Sequence, residues 1–196
     1  MQQTSFKIFL TSNIDIAEKA LETILDNCQI RHFRKGEMLL TPGERCQHSF
    51  FVEKGLLKQY SIDSNGKEHI LSFAPENWIL SDRESVFFDL PARYHIQAIE
   101  DTEAFAFKET VVEEIAKEDP AIYPFLLRLL HNNIRSYQKR VNMLLAATAE
   151  ERYLDFIKTY PDIMLRVPQI MVASYLGIAP ESLSRVRKHL ATKHKR

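Results

Sequence analysis

Polar side chains that can bond to base edges lie close together near the C-terminus. They are Glu181, Ser182, Ser184, Arg185 and Lys188. An arginine can donate two hydrogen bonds to guanine, a glutamate can accept one from cytosine, and a hydroxyl can serve a base or a phosphate. These residue types at this spacing predict a surface that binds the major groove of duplex DNA.

The surrounding segment predicts two helices that could present these side chains. Residues 168–176 form the first and residues 180–191 the second. Gly177 can adopt the left-handed conformation of a sharp turn between them, and Ala173 is small enough for a close helix crossing. This is the pattern of a helix-turn-helix, and an ordinary helical hairpin with solvated charges is the alternative. The residues predicted to face the interior are Ile170, Leu176, Ile178, Leu183, Val186 and Leu190.

Positive charge is concentrated in the same part of the chain. The 196 residues contain 26 Lys and Arg and 26 Asp and Glu, so the formal net charge is zero. From Arg166 onward there are seven Lys and Arg against one acid, Glu181. This imbalance indicates a polyanionic partner, with a solvated basic terminus as the alternative. The residues expected to attract phosphates are Arg187, Lys188, Lys193, Lys195 and Arg196.

The N-terminal half predicts short strands. Between about residues 30 and 107, runs rich in Phe, Ile, Val and Tyr alternate with turn signals. Asn65 and Gly66 predict a tight hairpin in which both residues tolerate positive φ. Strands this short and evenly spaced are typical of a sandwich or roll. The predicted strands cover residues 50–52, 56–62, 69–73 and 94–99, and a helix is predicted before them at residues 14–25.

After the strands, apolar residues recur every three or four positions. A stripe this long and narrow is typical of a coiled-coil dimer, and packing of the helix on its own domain is the alternative. The repeating positions are Ile122, Leu126, Leu129, Asn133, Tyr137, Val141 and Leu144. The predicted dimer seam consists of Leu126, Leu129, Tyr137, Val141 and Leu144.

Residues 176–185, Leu-Gly-Ile-Ala-Pro-Glu-Ser-Leu-Ser-Arg, resemble the recognition segment of the CRP/FNR superfamily of bacterial regulators. The turns at residues 35–37, 42–44, 54–55 and 65–68 follow the order and spacing of that family's roll. The resemblance implies an α+β fold. A cyclic-nucleotide-binding-like β-roll or jelly roll with an N-terminal helix is expected at residues 1–108. A dimerisation helix at 109–146 and an all-α helix-turn-helix domain at 147–196 would follow, with the family's wing truncated or absent.

Glu181, Ser184 and Arg185 are similar to the branch named for the fumarate and nitrate regulator. This similarity implies TTGA-type half-sites in an inverted repeat, with Arg185 on guanine, Glu181 on cytosine and Ser184 on thymine. The implied partners are double-stranded DNA, a second copy of the chain, RNA polymerase and an unknown small effector, all in the bacterial cytoplasm. No membrane partner is expected, because no apolar run approaches the roughly 20 residues of a span.

The expected effector site departs from the family's pattern. Members that bind cyclic nucleotides hold the phosphate with a Phe-Gly-Glu segment and an Arg-Ser/Thr-Ala segment. Residues 78–96 occupy the corresponding stretch but lack the glycine that faces the phosphate. Glu84 and Arg93 are candidate replacements, with solvated surface charges as the alternative. Cyclic nucleotide binding is therefore not expected.

The sequence offers no pattern for a metal site or a catalytic centre. Cys28 and Cys46 cannot supply four cysteines to an iron–sulfur cluster, and reduced thiols are expected. No nucleophile lies in a recognisable relation to a base, so an enzyme is not expected. A ligand sensor that acts on a protein partner instead of DNA remains the alternative function. Haem binding stays open, without a spacing that favours it, through His32, His48, His69, His95 and Cys46.

Overall fold

The computed structural model describes residues 4–193. Internal contacts divide the chain into two compact units, residues 1–61 with 72–131 and residues 62–71 with 132–196. We call these the roll unit and the helical unit. The predicted division at residues 108 and 146 remains a prediction, and the compact units differ from it by grouping residues 62–71 with the C-terminal helices.

The strands form two four-stranded sheets, as the sequence predicted for a roll. One sheet has the order β1-β8-β3-β6 and the other the order β2-β7-β4-β5. The four predicted strands correspond to β3, β4, β5 and β7. The bounds are β1 (Gln29–Phe33), β2 (Met38–Leu40), β3 (Ser49–Lys54), β4 (Leu57–Ile62), β5 (Glu68–Ala74), β6 (Ile79–Leu80), β7 (His95–Ala98) and β8 (Thr102–Phe107).

Apolar side chains from both sheets meet between them. Phe50 and Val52 of β3 belong to the same buried cluster as Leu57 of β4 and Ile96 of β7. Because successive side chains of a strand point to opposite faces, every second residue reaches this interior. Full burial of such a side chain contributes about 1.5–3 kcal/mol, so the alternating apolar pattern accounts for the pairing of the two sheets.

The turn between β4 and β5 differs from the predicted tight hairpin. Gly66 has a φ of 78°, but Asn65 does not have a positive φ. The Asp63 carboxylate instead organises the turn by accepting hydrogen bonds from the N–H groups of Asn65, at 2.9 Å, and Lys67, at 3.0 Å. The bond between Asp63 and His69 Nε2, at 2.8 Å, is the largest cause that lowers the pKa of Asp63 to about 2. The hydrogen bonds of the Asp63 carboxylate thus stabilise a turn in which only Gly66 has a positive φ.

Helices flank the strands and make up most of the helical unit. Their bounds are α1 (Ser5–Asn13), α2 (Glu18–Asp26), α3 (Arg83–Phe88), α4 (Glu109–Glu118), α5 (Ile122–Ala146), α6 (Ala149–Thr159), α7 (Ile163–Arg166), α8 (Gln169–Leu176) and α9 (Pro180–Lys193). None of the helices in residues 4–193 is both long and apolar enough to cross a membrane.

The N-terminal helices differ from the single helix predicted at residues 14–25. Helix α2 begins only at Glu18, and α1 precedes it. Helix α1 is fixed by a distant group, because the Glu53 carboxylate accepts hydrogen bonds from the N–H groups of Ser5, at 2.6 Å, and Phe6, at 3.1 Å. A bond across this many residues has no local signal in the sequence.

The predicted dimerisation region at residues 109–146 contains two helices and not one. Asp119 lies between α4 and α5, and its carboxylate accepts hydrogen bonds from the N–H groups of Ala121 and Ala17, both at 2.9 Å. Pro120 follows, and a residue before proline is disfavoured in the helical conformation. The long helix therefore begins at Ile122, after this break.

Helix α5 has two apolar faces, and the residues of the predicted dimer seam are divided between them. Leu126 and Leu129 are half-buried and pack against the core of the roll unit, beside the buried Ile122 and Phe125. They therefore do not lie on the exposed face. That face carries a second set of apolar residues, which we call the outer stripe. It consists of Tyr123, Leu127, Leu130, Ile134, Tyr137, Val141 and Leu144.

Candidate nucleic-acid interface

Helices α8 and α9 form the predicted helix-turn-helix. Helix α8 ends at Gly177, which has a φ of 65° and a ψ of 35°, the left-handed conformation that favours glycine. Two backbone bonds close the turn, from Gly177 N–H to Ser174 C=O at 3.1 Å and from Ile178 N–H to Ala173 C=O at 3.1 Å. The second bond is characteristic of a Schellman-type helix end, so the sharp turn has a local cause in the sequence.

Replacement of Gly177 by alanine is expected to destabilise the helical unit by about 1–2 kcal/mol, because an L-residue is strained at positive φ. An added Cβ would also lie 3.1 Å from Leu144 Cδ2. Urea unfolding measures the loss. Gly66→Ala should share the strain of positive φ but has open space around an added Cβ, so a larger loss in Gly177→Ala measures the contact with Leu144. Wild-type stability of Gly177→Ala would contradict the left-handed turn.

The buried side of the motif fixes the direction of α9. Val172, Ala173 and Leu176 of α8 are at most 2% exposed, and Leu183 of α9 is fully buried. Val186 and Leu190 are half-buried. The prediction for Ile170 is wrong, since this side chain is 65% exposed and Val172 occupies the interior instead. Leu176, the other residue of α8 predicted to face the interior, is buried, so the error concerns Ile170 alone.

The opposite side of α9 presents the predicted base-reading residues. Glu181, Ser184, Arg185 and Lys188 are exposed, and Ser182 is partly exposed. We call these five residues the recognition ridge. Arg185 lies back along its own helix, with Nε 3.4 Å from Glu181 C=O and Nη2 3.3 Å from Ser182 Oγ. Bonds this long on an exposed surface leave the guanidinium able to extend toward a ligand.

The predicted phosphate-attracting residues are distributed around the same helix. Arg187 is half-buried and Lys188 is exposed. Lys193 lies 3.7 Å from the carboxylate of Glu150, which also approaches His189 at 3.8 Å, so part of its positive charge is balanced within the unit. Lys195 and Arg196, with the rest of the predicted basic tail beyond Lys193, lie outside the described residues.

Arg152 joins the ends of two helices and was not predicted from the sequence. Its guanidinium donates to Leu144 C=O at 2.8 Å and Ala147 C=O at 3.0 Å, at the end of α5, and to Leu176 C=O at 3.1 Å, at the end of α8. Carbonyls at a helix C-terminus carry partial negative charge that a cation stabilises. Arg152 therefore fixes α8 relative to α5. The only nearby sequence signal is the capping box of Thr148 and Glu151 that begins α6.

Glu84 and Arg93, the candidate effector residues, bond to each other. Arg93 Nε lies 2.9 Å from Glu84 Oε2, and the Arg93 side chain is 69% exposed. Arg93 therefore already has a carboxylate partner at the position where a phosphate would need its charge. The effector role of Glu84 and Arg93 stays a prediction, and their ion pair is compatible with the alternative of solvated surface charges.

The two cysteines lie in the roll unit, where each thiol donates a hydrogen bond to a backbone carbonyl. Cys28 Sγ donates to Ile24 C=O at 3.1 Å, and Cys46 Sγ donates to His48 C=O at 3.2 Å. Burial raises the pKa of Cys28 to about 12 and is also the largest cause that raises the pKa of Cys46. Metal ligation requires the thiolate. Within residues 4–193, no group of three or more His, Cys, Asp and Glu residues is arranged to hold a metal ion.

Neither thiol is expected to react with an aromatic disulfide reagent at neutral pH in the folded protein. The physical reason is that a raised pKa leaves almost no nucleophilic thiolate. The same reagent should titrate both cysteines in denaturant, which provides the internal control. Rapid reaction of the half-buried Cys28 in the native protein would contradict its raised pKa.

The chain is similar to known proteins in sequence and in fold. Residues 30–119 match the model of the cyclic nucleotide-binding domain. The chain is 28% identical over 169 residues to the transcriptional activator protein anr of Pseudomonas aeruginosa, covering 80% of this chain and 68% of that protein. It is 25% identical over 167 residues to electron transport regulator A of Shewanella oneidensis, covering 78% and 65% respectively.

A solved structure with a similar fold is FixK2 from Bradyrhizobium japonicum. The TM-score is 0.72 at 22% identity, and the match covers 85% of this chain and 86% of that one. Identity at this level establishes the common fold alone. Residues 30–119 therefore match the cyclic nucleotide-binding domain, and the chain is similar to named bacterial regulators in sequence and to a solved structure in fold.

Proposed function

We propose that this protein regulates transcription by binding duplex DNA as a homodimer that reads an inverted repeat. The observation that carries the proposal is the recognition ridge, whose polar side chains are exposed because the opposite side of α9 is anchored by the fully buried Leu183. The N-terminal part of such a helix can meet base edges in the major groove, while the preceding helix crosses the backbone. The named function of the bacterial activator from Pseudomonas aeruginosa supports the same role.

Three side chains of the ridge suit a TTGA-type half-site. Arg185 can bond to guanine O6 and N7, and Glu181 can accept from the amino group of the paired cytosine. Ser184 would contact the neighbouring thymine. Arg187 and Lys188 would add attraction to phosphates that falls as salt concentration rises. These assignments follow the family resemblance, and the exposure of Glu181, Ser184 and Arg185 is compatible with them.

The outer stripe of α5 supports the homodimer. Its alternating spacing of four and three residues fits a heptad repeat, whose positions are lettered from 'a' to 'g'. The 'a' positions are Leu127, Ile134 and Val141. The 'd' positions are Tyr123, Leu130, Tyr137 and Leu144. β-Branched residues at 'a' with leucine at 'd' favour parallel, two-stranded coiled coils. Ile134, Tyr137 and Val141 are each at least 43% exposed, as expected of a surface that a second copy covers.

A symmetric dimer explains the inverted repeat. Two recognition ridges related by a two-fold axis would meet two identical half-sites about one turn of DNA apart. An effector would act by changing the relative populations of two arrangements of the DNA-binding domains. The ion pair of Glu84 with Arg93 argues against a cyclic nucleotide in that role, and RNA polymerase is a further proposed partner.

The second candidate function is a ligand sensor that acts through a protein partner. It would use the roll unit and leave the recognition ridge without a role. Salt dependence separates the two functions, because neutralisation of phosphates makes DNA binding fall steeply with salt. The exposed ridge and the named regulatory relatives favour the DNA-binding function.

The decisive experiment is selection of bound sequences from random duplexes with the purified protein. We expect enrichment of an inverted repeat whose half-sites contain a TTGA-like core. A single half-site without symmetry would support DNA reading but contradict the homodimer. Failure to enrich any sequence at low salt, by protein shown to be folded, would contradict the proposed function.

A further inference from the structure

Strand β5 is the edge strand of its sheet, and a serine of α8 bonds to its outer backbone groups. An edge strand leaves a row of N–H and C=O groups without ladder partners. Ser174 Oγ accepts a hydrogen bond from Ile70 N–H at 3.1 Å and donates one to Glu68 C=O at 2.7 Å. One hydroxyl thus supplies the acceptor and the donor that a neighbouring strand would otherwise provide. Both bonds lie within the helical unit, which includes residues 62–71.

Arg140 of α5 completes the same junction. Its Nη2 donates to Ile70 C=O at 3.1 Å and to Tyr175 C=O at 2.8 Å. The guanidinium carbon also lies 3.6 Å from the centroid of the Tyr175 ring, in cation–π geometry. Both backbone polar groups of Ile70, a residue only 3% exposed, are therefore bonded to side chains of α5 and α8.

The requirements of α8 itself do not explain a serine at position 174. A serine inside a helix ordinarily faces solvent or bonds back to a carbonyl of its own preceding turn. Alanine would give a more stable isolated helix. The Ser174 hydroxyl instead bonds to two backbone groups of β5 that lie more than a hundred positions away in the sequence. The residue therefore serves the junction with β5.

We propose that Ser174 and Arg140 are positioning residues for DNA recognition, which hold α8 to Glu68 and Ile70 of β5 within the helical unit. We call their four hydrogen bonds the hairpin clasp. The inference rests on the proposed function and adds to it the contacts that hold α8, and through the turn α9, in position. Helix α8 ends at Leu176 and α9 begins at Pro180, so the short turn transmits the position of one helix to the other. A recognition helix held in place before binding avoids the cost of ordering it on DNA.

Side chains also hold the turn between β4 and β5, so the residues that bond to Ser174 and Arg140 belong to an ordered segment. Asp63 bonds to the Asn65 and Lys67 amides and to His69, as described above. Glu68 and Ile70 follow immediately along β5. A continuous series of hydrogen bonds thus connects this turn, through β5 and Ser174, to the helix that precedes the recognition helix.

Removal of the hydroxyl in Ser174→Ala tests the clasp through two independent measurements. Hydrogen exchange of the Ile70 amide, measured without DNA, is expected to become about tenfold faster as its acceptor is lost. Affinity for the selected inverted repeat is expected to fall about fivefold, while affinity for random duplex is unchanged. Ser174→Thr, which retains a hydroxyl, should restore both quantities toward wild type.

Two further variants separate the clasp from general stability. Thr159→Ala removes a hydroxyl that bonds only to Asp155 C=O of its own helix, and we expect no change in specific DNA affinity. Arg140→Lys keeps the charge but loses the planar donor that joins two carbonyls, and specific affinity should fall as in Ser174→Ala. This variant tests the clasp even if Ser174→Ala proves poorly folded.

The outcomes distinguish the clasp from the proposed function. Faster exchange at Ile70 with wild-type affinity for the repeat would overturn the positioning role. Tighter DNA binding by Ser174→Ala would overturn it as well, because the clasp would then oppose recognition. If wild-type protein selects no DNA, the proposed function fails first, and the positioning role falls with it whatever the exchange data show.

Discussion

Arg185→Ala is expected to weaken binding to the selected repeat by about 1–3 kcal/mol per half-site and to relax specificity at one base pair. Arg185 lies on the exposed side of α9, and its present contacts with Glu181 and Ser182 are long. Extending the Arg185 side chain toward DNA therefore breaks only weak hydrogen bonds. A bidentate bond to guanine is lost in the variant, whereas contacts of other residues with the backbone remain.

Competition binding to the selected repeat and to single-base variants of it measures this loss. Lys188→Ala is the matched control on the same exposed face. It should weaken binding by a similar factor on every sequence and reduce the salt dependence by about one phosphate contact. If Arg185→Ala also weakened binding equally on all duplexes, Arg185 would be a phosphate contact and not a base reader.

The helix-turn-helix could be predicted because its determinants are local. Gly177 at the turn and the buried Leu183 lie within one short segment, and the period of α9 places Glu181 and Arg185 on the opposite side. The error at Ile170 has the same origin. Helix α8 is apolar nearly all round, so its sequence does not distinguish the buried Val172 from the exposed Ile170.

The contacts that hold this motif could not be predicted, because they join side chains to backbone groups, most of which are distant in the sequence. Ser174 and Arg140 bond to backbone groups of β5, and Arg152 bonds to the last carbonyls of two helices. Backbone acceptors have no residue type that a sequence pattern could reveal. The same holds for Glu53, whose carboxylate fixes the start of α1.

The dimer seam on α5 stays a prediction, and its predicted residues are divided between two apolar faces of the helix. Tyr137, Val141 and Leu144 do lie on the exposed face. Leu126 and Leu129 fit a similar spacing, but they belong to the face that packs on the roll unit. Periodicity identifies apolar faces but does not show which of two faces a domain of the same chain covers.

Ile134→Asp is expected to convert the dimer to a monomer at micromolar concentration and to abolish binding to the inverted repeat. Ile134 is 43% exposed in the single chain and lies at an 'a' position of the outer stripe. In a parallel pair of helices, residues at the 'a' positions of the two copies face each other across the two-fold axis. The variant would therefore bury two negative charges side by side. Sedimentation velocity measures the mass, and Asn132→Asp, on an exposed position of the same helix away from the stripe, is the control.

Leu129→Ala distinguishes a dimer seam on the outer stripe from the seam predicted by sequence. Because Leu129 packs on the roll unit, its truncation should cost about 1–3 kcal/mol of unfolding free energy and leave the dimer intact. Ile134→Asp should do the reverse, with a monomer whose circular dichroism spectrum matches wild type. Dissociation by Leu129→Ala together with an intact Ile134→Asp dimer would restore the original seam. It would require α5 to rotate by about one residue from its present packing, exposing Phe125, which is now only 5% accessible.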